Sequence, residues 1–112
     1  WHWHASPRSA VRFLLQAAEM DTALLDTRRN LNMPGLSATV GEQIEALRRV
    51  AGDRAVALIR REPDAMIADM VENWPKDFDT ARASALGFAA EDSFDAIIRA
   101  HIEDELGGQV RP

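Results

Sequence analysis

Hydrophobic and polar positions divide the chain into short periodic stretches. Trp1, His2, Trp3 and His4 alternate between indole and imidazole with period two, which predicts an extended strand. Ser6-Pro7 then supplies a helix cap and a proline at the first helical position. The helix that follows places Val11, Leu14, Leu15 and Ala18 on one stripe, so this stripe is expected to face a core, and the pattern fades near Asp21. In the segment 30–33, Leu31 and Met33 alternate with asparagines and run into Pro34-Gly35, the pattern of a short sheet strand entering a turn. Thr39-Val40-Gly41-Glu42 matches a capping box, in which a threonine hydroxyl and a glutamate three residues on satisfy each other's free amides. The helix it starts carries Ile44, Leu47 and Ala51 on one face, and Gly52 is placed to stop it in a left-handed conformation.

Asp53 is positioned to cap a short turn from Ala55 to Leu58, with Ile59 to Glu62 extended until Pro63 removes an amide donor. A helix is predicted over Ala65 to Glu72, with Met66, Ile67 and Met70 on one side, ending before Trp74-Pro75 because a residue preceding proline avoids the helical region. Asp79 caps a helix from Thr80 to Leu86 that Gly87 closes. Ser93 caps the last one, where Phe94, Ile97, Ile98, Ile102 and Leu106 form an amphipathic stripe ended by Gly107-Gly108. Four or five helices with two or three short strands make an α-rich α/β fold, with a folded lobe over 1–106 and a loose tail over 107–112.

At 112 residues the chain is expected to hold one core, and its start at Trp1 rather than at a methionine reads as a processed product or a piece of something longer. A formal charge of -5 opposes the positive field that binding to a phosphate backbone requires, so nucleic acid is excluded as a partner. The doublets Arg28-Arg29, Arg48-Arg49 and Arg60-Arg61 are interrupted by acids and apolar residues and read as solvated helix edges. Cysteine is absent, which rules out disulfides and thiolate metal sites and fits a reducing compartment, with the cytoplasm as the expectation. No apolar run approaches the roughly 20 residues that span a bilayer, so no membrane partner is expected.

Familiar catalytic constellations are missing. The six glycines never take the close spacing that brings backbone amides onto a pyrophosphate, and Lys76, the only lysine, has no glycine-rich loop before it. Gly35-Leu36-Ser37-Ala38-Thr39 approaches a nucleophile elbow but lacks its second glycine, and reads as a loop. His2 and His4 project from one face of a strand and offer two imidazoles, yet a metal site needs three or four ligands, so none is expected. His101, at the edge of the last stripe, reads as a partly buried structural ring. Glu103, Asp104 and Glu105 crowd a helix C-terminus that disfavours negative charge; they are either a hydrated end, the preferred reading, or a surface for a basic partner.

From Trp3 to Gly108 the order of elements resembles the C-terminal portion of the extended short-chain dehydrogenase/reductases, the NAD-dependent epimerase/dehydratase family. The resemblance is carried by His4-Ala5-Ser6-Pro7-Arg8-Ser9-Ala10-Val11, by Asn30-Leu31-Asn32-Met33-Pro34-Gly35-Leu36-Ser37, and by Phe78-Asp79-Thr80-Ala81-Arg82-Ala83 with Leu86-Gly87-Phe88. The wording of Leu31 to Ser37 and of Trp74-Pro75 is most similar to the D-erythronate dehydrogenase branch. Such membership implies an NAD-binding Rossmann lobe preceding this one and a tyrosine–lysine pair that takes a hydroxyl proton as hydride leaves. With no tyrosine in the chain, neither catalytic nor cofactor-binding residues are expected here.

The resemblance also implies a substrate pocket walled by the opening strand and the Trp74 turn, with His4, Arg8, Trp74 and Lys76 as candidates. Arg8 or Lys76 would pair with a substrate carboxylate. Partners expected on this reading are a small sugar acid, the cofactor-binding lobe and a second copy of the chain. Two alternatives stand beside it: the same lobe from a sugar-nucleotide epimerase, and an autonomous helical module that binds a protein through an apolar groove.

Overall fold

The computed structural model describes residues 1–110. It opens with strand β1 (His2–His4), after which Ser6 caps helix α1 (Pro7–Glu19) by accepting from the Ser9 amide at 3.0 Å. The Ser6 hydroxyl also donates to Glu91, so one buried serine ends the strand, starts the helix and ties both to the distant segment before the last helix.

The inward face of α1 is not the stripe that the periodicity selects. Val11, Leu14 and Leu15 are 56%, 73% and 62% exposed and Ala18 is exposed too, whereas Ser9 and Phe13 are buried. Apolar residues ring much of this helix, and the large Phe13 ring decides its rotation by packing edge-on to Phe88 at 6.3 Å and against Ala83. Ala17 and Met20 complete that inner stripe.

A 3₁₀ turn over Thr22–Leu25, capped by Asp21, follows and has no counterpart in the periodicity. The expected strand over 30–33 is irregular instead. Leu31 and Met33 pack on the Phe13–Phe88 cluster, and the second strand, β2 (Leu36–Ala38), lies in the stretch read as a loop. It pairs antiparallel with β1, Trp3 opposite Ser37. Gly35 permits this, because a Cβ there would lie 2.5 Å from Trp3 Nε1 and 2.8 Å from the His4 carbonyl oxygen.

Helix α2 (Val40–Ala51) begins with the capping box at Thr39 and Glu42 and ends at Gly52, whose φ of 86° a side chain would disfavour. Helix α3 (Asp53–Ala57) follows directly after this one non-helical residue. Asp53 is its first residue, not its cap, and its carboxylate accepts from Arg48 at 2.5 Å. The segment 59–62 forms no strand. Helix α4 (Ala65–Glu72) has the predicted limits, with Asp64 accepting from the amides of Met66 and Ile67.

Helix α5 (Ala81–Ala85) starts under the Asp79 carboxylate, which accepts from the Ala81 amide at 3.1 Å, and closes at Gly87 with φ 92°. From α5, the Arg82 guanidinium donates to the carbonyls of Leu25, Arg28 and Asn30 at 2.5, 2.9 and 3.2 Å, clamping the irregular connection that leads to β2. Helix α6 (Phe94–Glu105) is capped by Ser93 and packs along α2. Its acidic end is exposed, as the reading of a hydrated helix end expects, and two of its acids also pair within the chain: Asp104 and Glu103 receive Arg8 of α1 at 2.8 and 3.0 Å. Asp95 likewise receives Arg49 through two bonds at 2.7 and 3.0 Å. His101 is exposed, not partly buried. Gly108 donates to the Ile102 carbonyl at 2.9 Å, so the expected tail is tied to α6 at its start; its last two residues, 111 and 112, lie outside the described residues.

The result is a flat body of 50 × 37 × 17 Å with a radius of gyration of 16.7 Å, against about 13 Å for a self-contained domain of this length. Its accessible surface of 8231 Å² exceeds the roughly 6,000 Å² expected of a chain this size folded by itself. No helix among the described residues is long and apolar enough to cross a membrane.

Candidate substrate groove

The strand alternation that opens the chain builds an aromatic wall. His2 and His4 share one face of β1, their rings edge to face at 6.2 Å, and Trp74 and Phe94 extend the row with centroids 6.1 Å from His2 and 5.2 Å from His4. Trp3 packs against Phe78 with the rings tilted and their centroids 5.5 Å apart. The turn after α4 is held to the ribbon by the Ser37 hydroxyl, which donates to the Lys76 carbonyl at 2.6 Å. Between these parts lies an open groove of about 590 Å³, lined by His2, Trp3, His4, Val71, Trp74, Pro75 and Phe78. Its walls are aromatic and apolar with two imidazoles as polar groups, a composition suited to orienting a small hydroxylated molecule.

His4 is the better defined of the two polar groups. Its Nε2 lies 3.0 Å from the Gln43 side-chain nitrogen, so with the amide donating, the ring is neutral and carries its proton on Nδ1. Burial, then the charges of His2 and the terminal amine, hold His4 below the ordinary value of 6.5. The unfolded chain therefore binds more protons than the folded one between the folded value and 6.5. Stability should rise with pH across that window and fall as the solution is acidified through it. Urea denaturation midpoints at about pH 5 and about pH 7.5 measure this, and His4→Gln should flatten the dependence there. A midpoint that improves on acidification through this window would contradict the assignment.

Glu91 responds at lower pH. Burial raises its pKa, but the hydrogen bonds from the Ser6 hydroxyl, its own backbone and other donors outweigh burial and hold it below the usual carboxylate range.

Of the four residues the sequence nominated, His4 and Trp74 line the groove together. Arg8 does not join them: its guanidinium forms two bonds to Asp104 and one to Glu103 and serves as a clamp between α1 and α6. Lys76 follows the groove-lining Pro75, contributes its carbonyl to Ser37 and is exposed, with no ion pair to its ammonium among the described residues. Gln43, Val71 and Phe78 were not foreseen. Gln43 lies on α2, 39 residues from His4, and no local pattern announces such a pairing.

A nicotinamide dinucleotide does not fit these residues. The ribbon is two antiparallel strands of three residues, with no parallel strand–turn–helix unit among the described residues to present amides to a pyrophosphate.

No family model matches the chain. It is similar to two curated relatives named D-erythronate dehydrogenase. The protein from Cupriavidus necator is 44% identical over 102 residues, 91% of this chain and 32% of that protein. The protein from Haemophilus influenzae is 31% identical over 104 residues, 93% of this chain and 33% of that protein. Among solved structures, the nucleoside-diphosphate-sugar epimerase from Agrobacterium tumefaciens superposes with a TM-score of 0.95 at 64% identity, covering 98% of this chain and 32% of that one. The chain thus spans about a third of the length of the relatives it matches. Over nearly all of its own length it is homologous to one third of two D-erythronate dehydrogenases and of a nucleoside-diphosphate-sugar epimerase.

Proposed function

We propose that this chain is the substrate-binding part of an NAD-dependent sugar-acid dehydrogenase whose intact form oxidises D-erythronate at a secondary hydroxyl. The similarity to the C. necator enzyme across 91% of the chain carries this reading, and the aromatic groove supplies a place for the substrate. In it, His4 offers one hydrogen bond from a neutral ring and Trp74 an apolar face, while the proton relay and the cofactor belong to a lobe outside this chain. Arg8 is committed to Asp104, so the cation that meets the substrate carboxylate is Lys76 or comes from the other lobe.

The likeness to the A. tumefaciens protein favours a second reading, in which the same lobe serves a sugar-nucleotide epimerase.

Calorimetry on the 112-residue chain tests the division of labour. Titration with NAD should give no binding heat, since the described residues offer no amide cradle. Micromolar NAD affinity would contradict the proposal. A panel of D-erythronate, related sugar acids and nucleoside-diphosphate sugars separates the two readings when assayed on the intact protein.

A further inference from the structure

Helix α4 packs on little of its own chain. Every residue in the segment 57–70 is exposed, and Met66, Ile67 and Met70, at 70%, 56% and 59% exposure, form a helical stripe that ends on Trp74, itself 55% exposed. A stripe of this kind on a soluble protein marks a surface that something covers. The base of the arm is fixed: Trp74 meets His2, Phe78 meets Trp3, and Ser37 holds the Lys76 carbonyl. The arm therefore projects at a defined angle from the rim of the groove.

We propose that this α4 stripe is the seat of the cofactor-binding lobe, so that the lobe docking on Met66, Ile67 and Met70 is brought by Trp74 over the mouth of the groove. The inference rests on the functional reading above. Three observations select the occupant. The matched relatives are about three times the length of this chain, so in them a far larger body is joined to the same lobe. The chain exposes about 2,000 Å² more than a self-contained domain of its size, which is more than one side of a standard interface of about 800 Å². The stripe also runs into the groove through Trp74, and it is there that a bound substrate must meet the cofactor. The exposed stripe of α1 has no such continuity.

Because the chain contains no cysteine, single thiols report on the face directly. Met70→Cys and, as a control on exposed α6, His101→Cys would be placed in the C. necator D-erythronate dehydrogenase carrying this chain in place of its matching third. Alkylation at each position is followed on its own peptide by mass spectrometry. Relative to the denatured protein, position 70 should react at least about tenfold more slowly and position 101 at nearly the unfolded rate. Equal rates at 70 and 101 would overturn the proposal. So would protection at 70 that grows with protein concentration, which assigns the face to a second copy.

Turnover of D-erythronate by the same splice keeps the two claims apart. An active enzyme with a reactive thiol at 70 sinks the docking face alone, and a folded, protected but inert enzyme sinks the functional reading alone. A parallel splice into the A. tumefaciens protein, whose lobe superposes at a TM-score of 0.95, gives the protection result if the first host does not fold.

Discussion

Phe88→Ala is expected to cost about 3–5 kcal/mol and to abolish the cooperative thermal transition of the isolated chain. Phe88 is 3% exposed, and its ring closes the small cluster of Phe13 and Ala83 on which Ala17, Met20, Leu31, Met33, Leu86 and Ala90 lean. That cluster joins α1, the irregular 30–33 segment and the end of α5, three stretches with no shared sheet to hold them. Phe88 is one of only two phenylalanines among the buried hydrophobic residues, so its truncation carries the transfer cost of a large ring together with a cavity cost. A small domain has only about 5–15 kcal/mol in total, and this one keeps more of its surface in water than most. Calorimetric melting of wild type and variant measures the effect; a loss under about 1 kcal/mol would show that the cluster is not the centre of stability.

Trp74→Ala should act on function rather than folding. With its side chain half in solvent, truncation should change stability little, yet it removes the apolar wall between His2 and the mouth of the groove. In the C. necator enzyme spliced with this chain, kcat/KM for D-erythronate should fall by about 10- to 100-fold with the melting temperature nearly unchanged. An unaltered kcat/KM would remove Trp74 from the site, and a collapsed melting temperature would make it a structural residue.

The sequence was most legible where a local rule acts alone. Ser6-Pro7, Thr39 with Glu42, and Ser93 each satisfy amides within three residues and start a helix where their chemistry says they should, while Asp79 accepts from the Ala81 amide of a helix that begins one residue later than expected. Legibility failed where distance decides. The alternation of Leu31 and Met33 is real, but these side chains serve the Phe13–Phe88 cluster, while β2 forms later because Gly35 alone leaves room for Trp3. On α1, two apolar stripes compete, and only the position of Phe88, 75 residues away from Phe13, chooses between them.

The candidate site divides along the same line. His4 and Trp74 line one groove because strand pleating and the Trp74-Pro75 turn place them there. Arg8 looked available because its acids lie at the far end of the chain, and the pairing with Asp104 spans 96 residues. The acidic crowding at the end of α6 was itself a clue to a cation nearby, since a helix C-terminus tolerates such charge best when it is neutralised.

The most direct measurement is NAD-linked turnover of D-erythronate by the C. necator dehydrogenase with its 102 matched residues exchanged for those of this chain. The hybrid should turn over D-erythronate within about tenfold of its parent, because a lobe that positions substrate for the same reaction keeps the transition-state contacts. A folded hybrid that binds NAD but leaves D-erythronate untouched would contradict it.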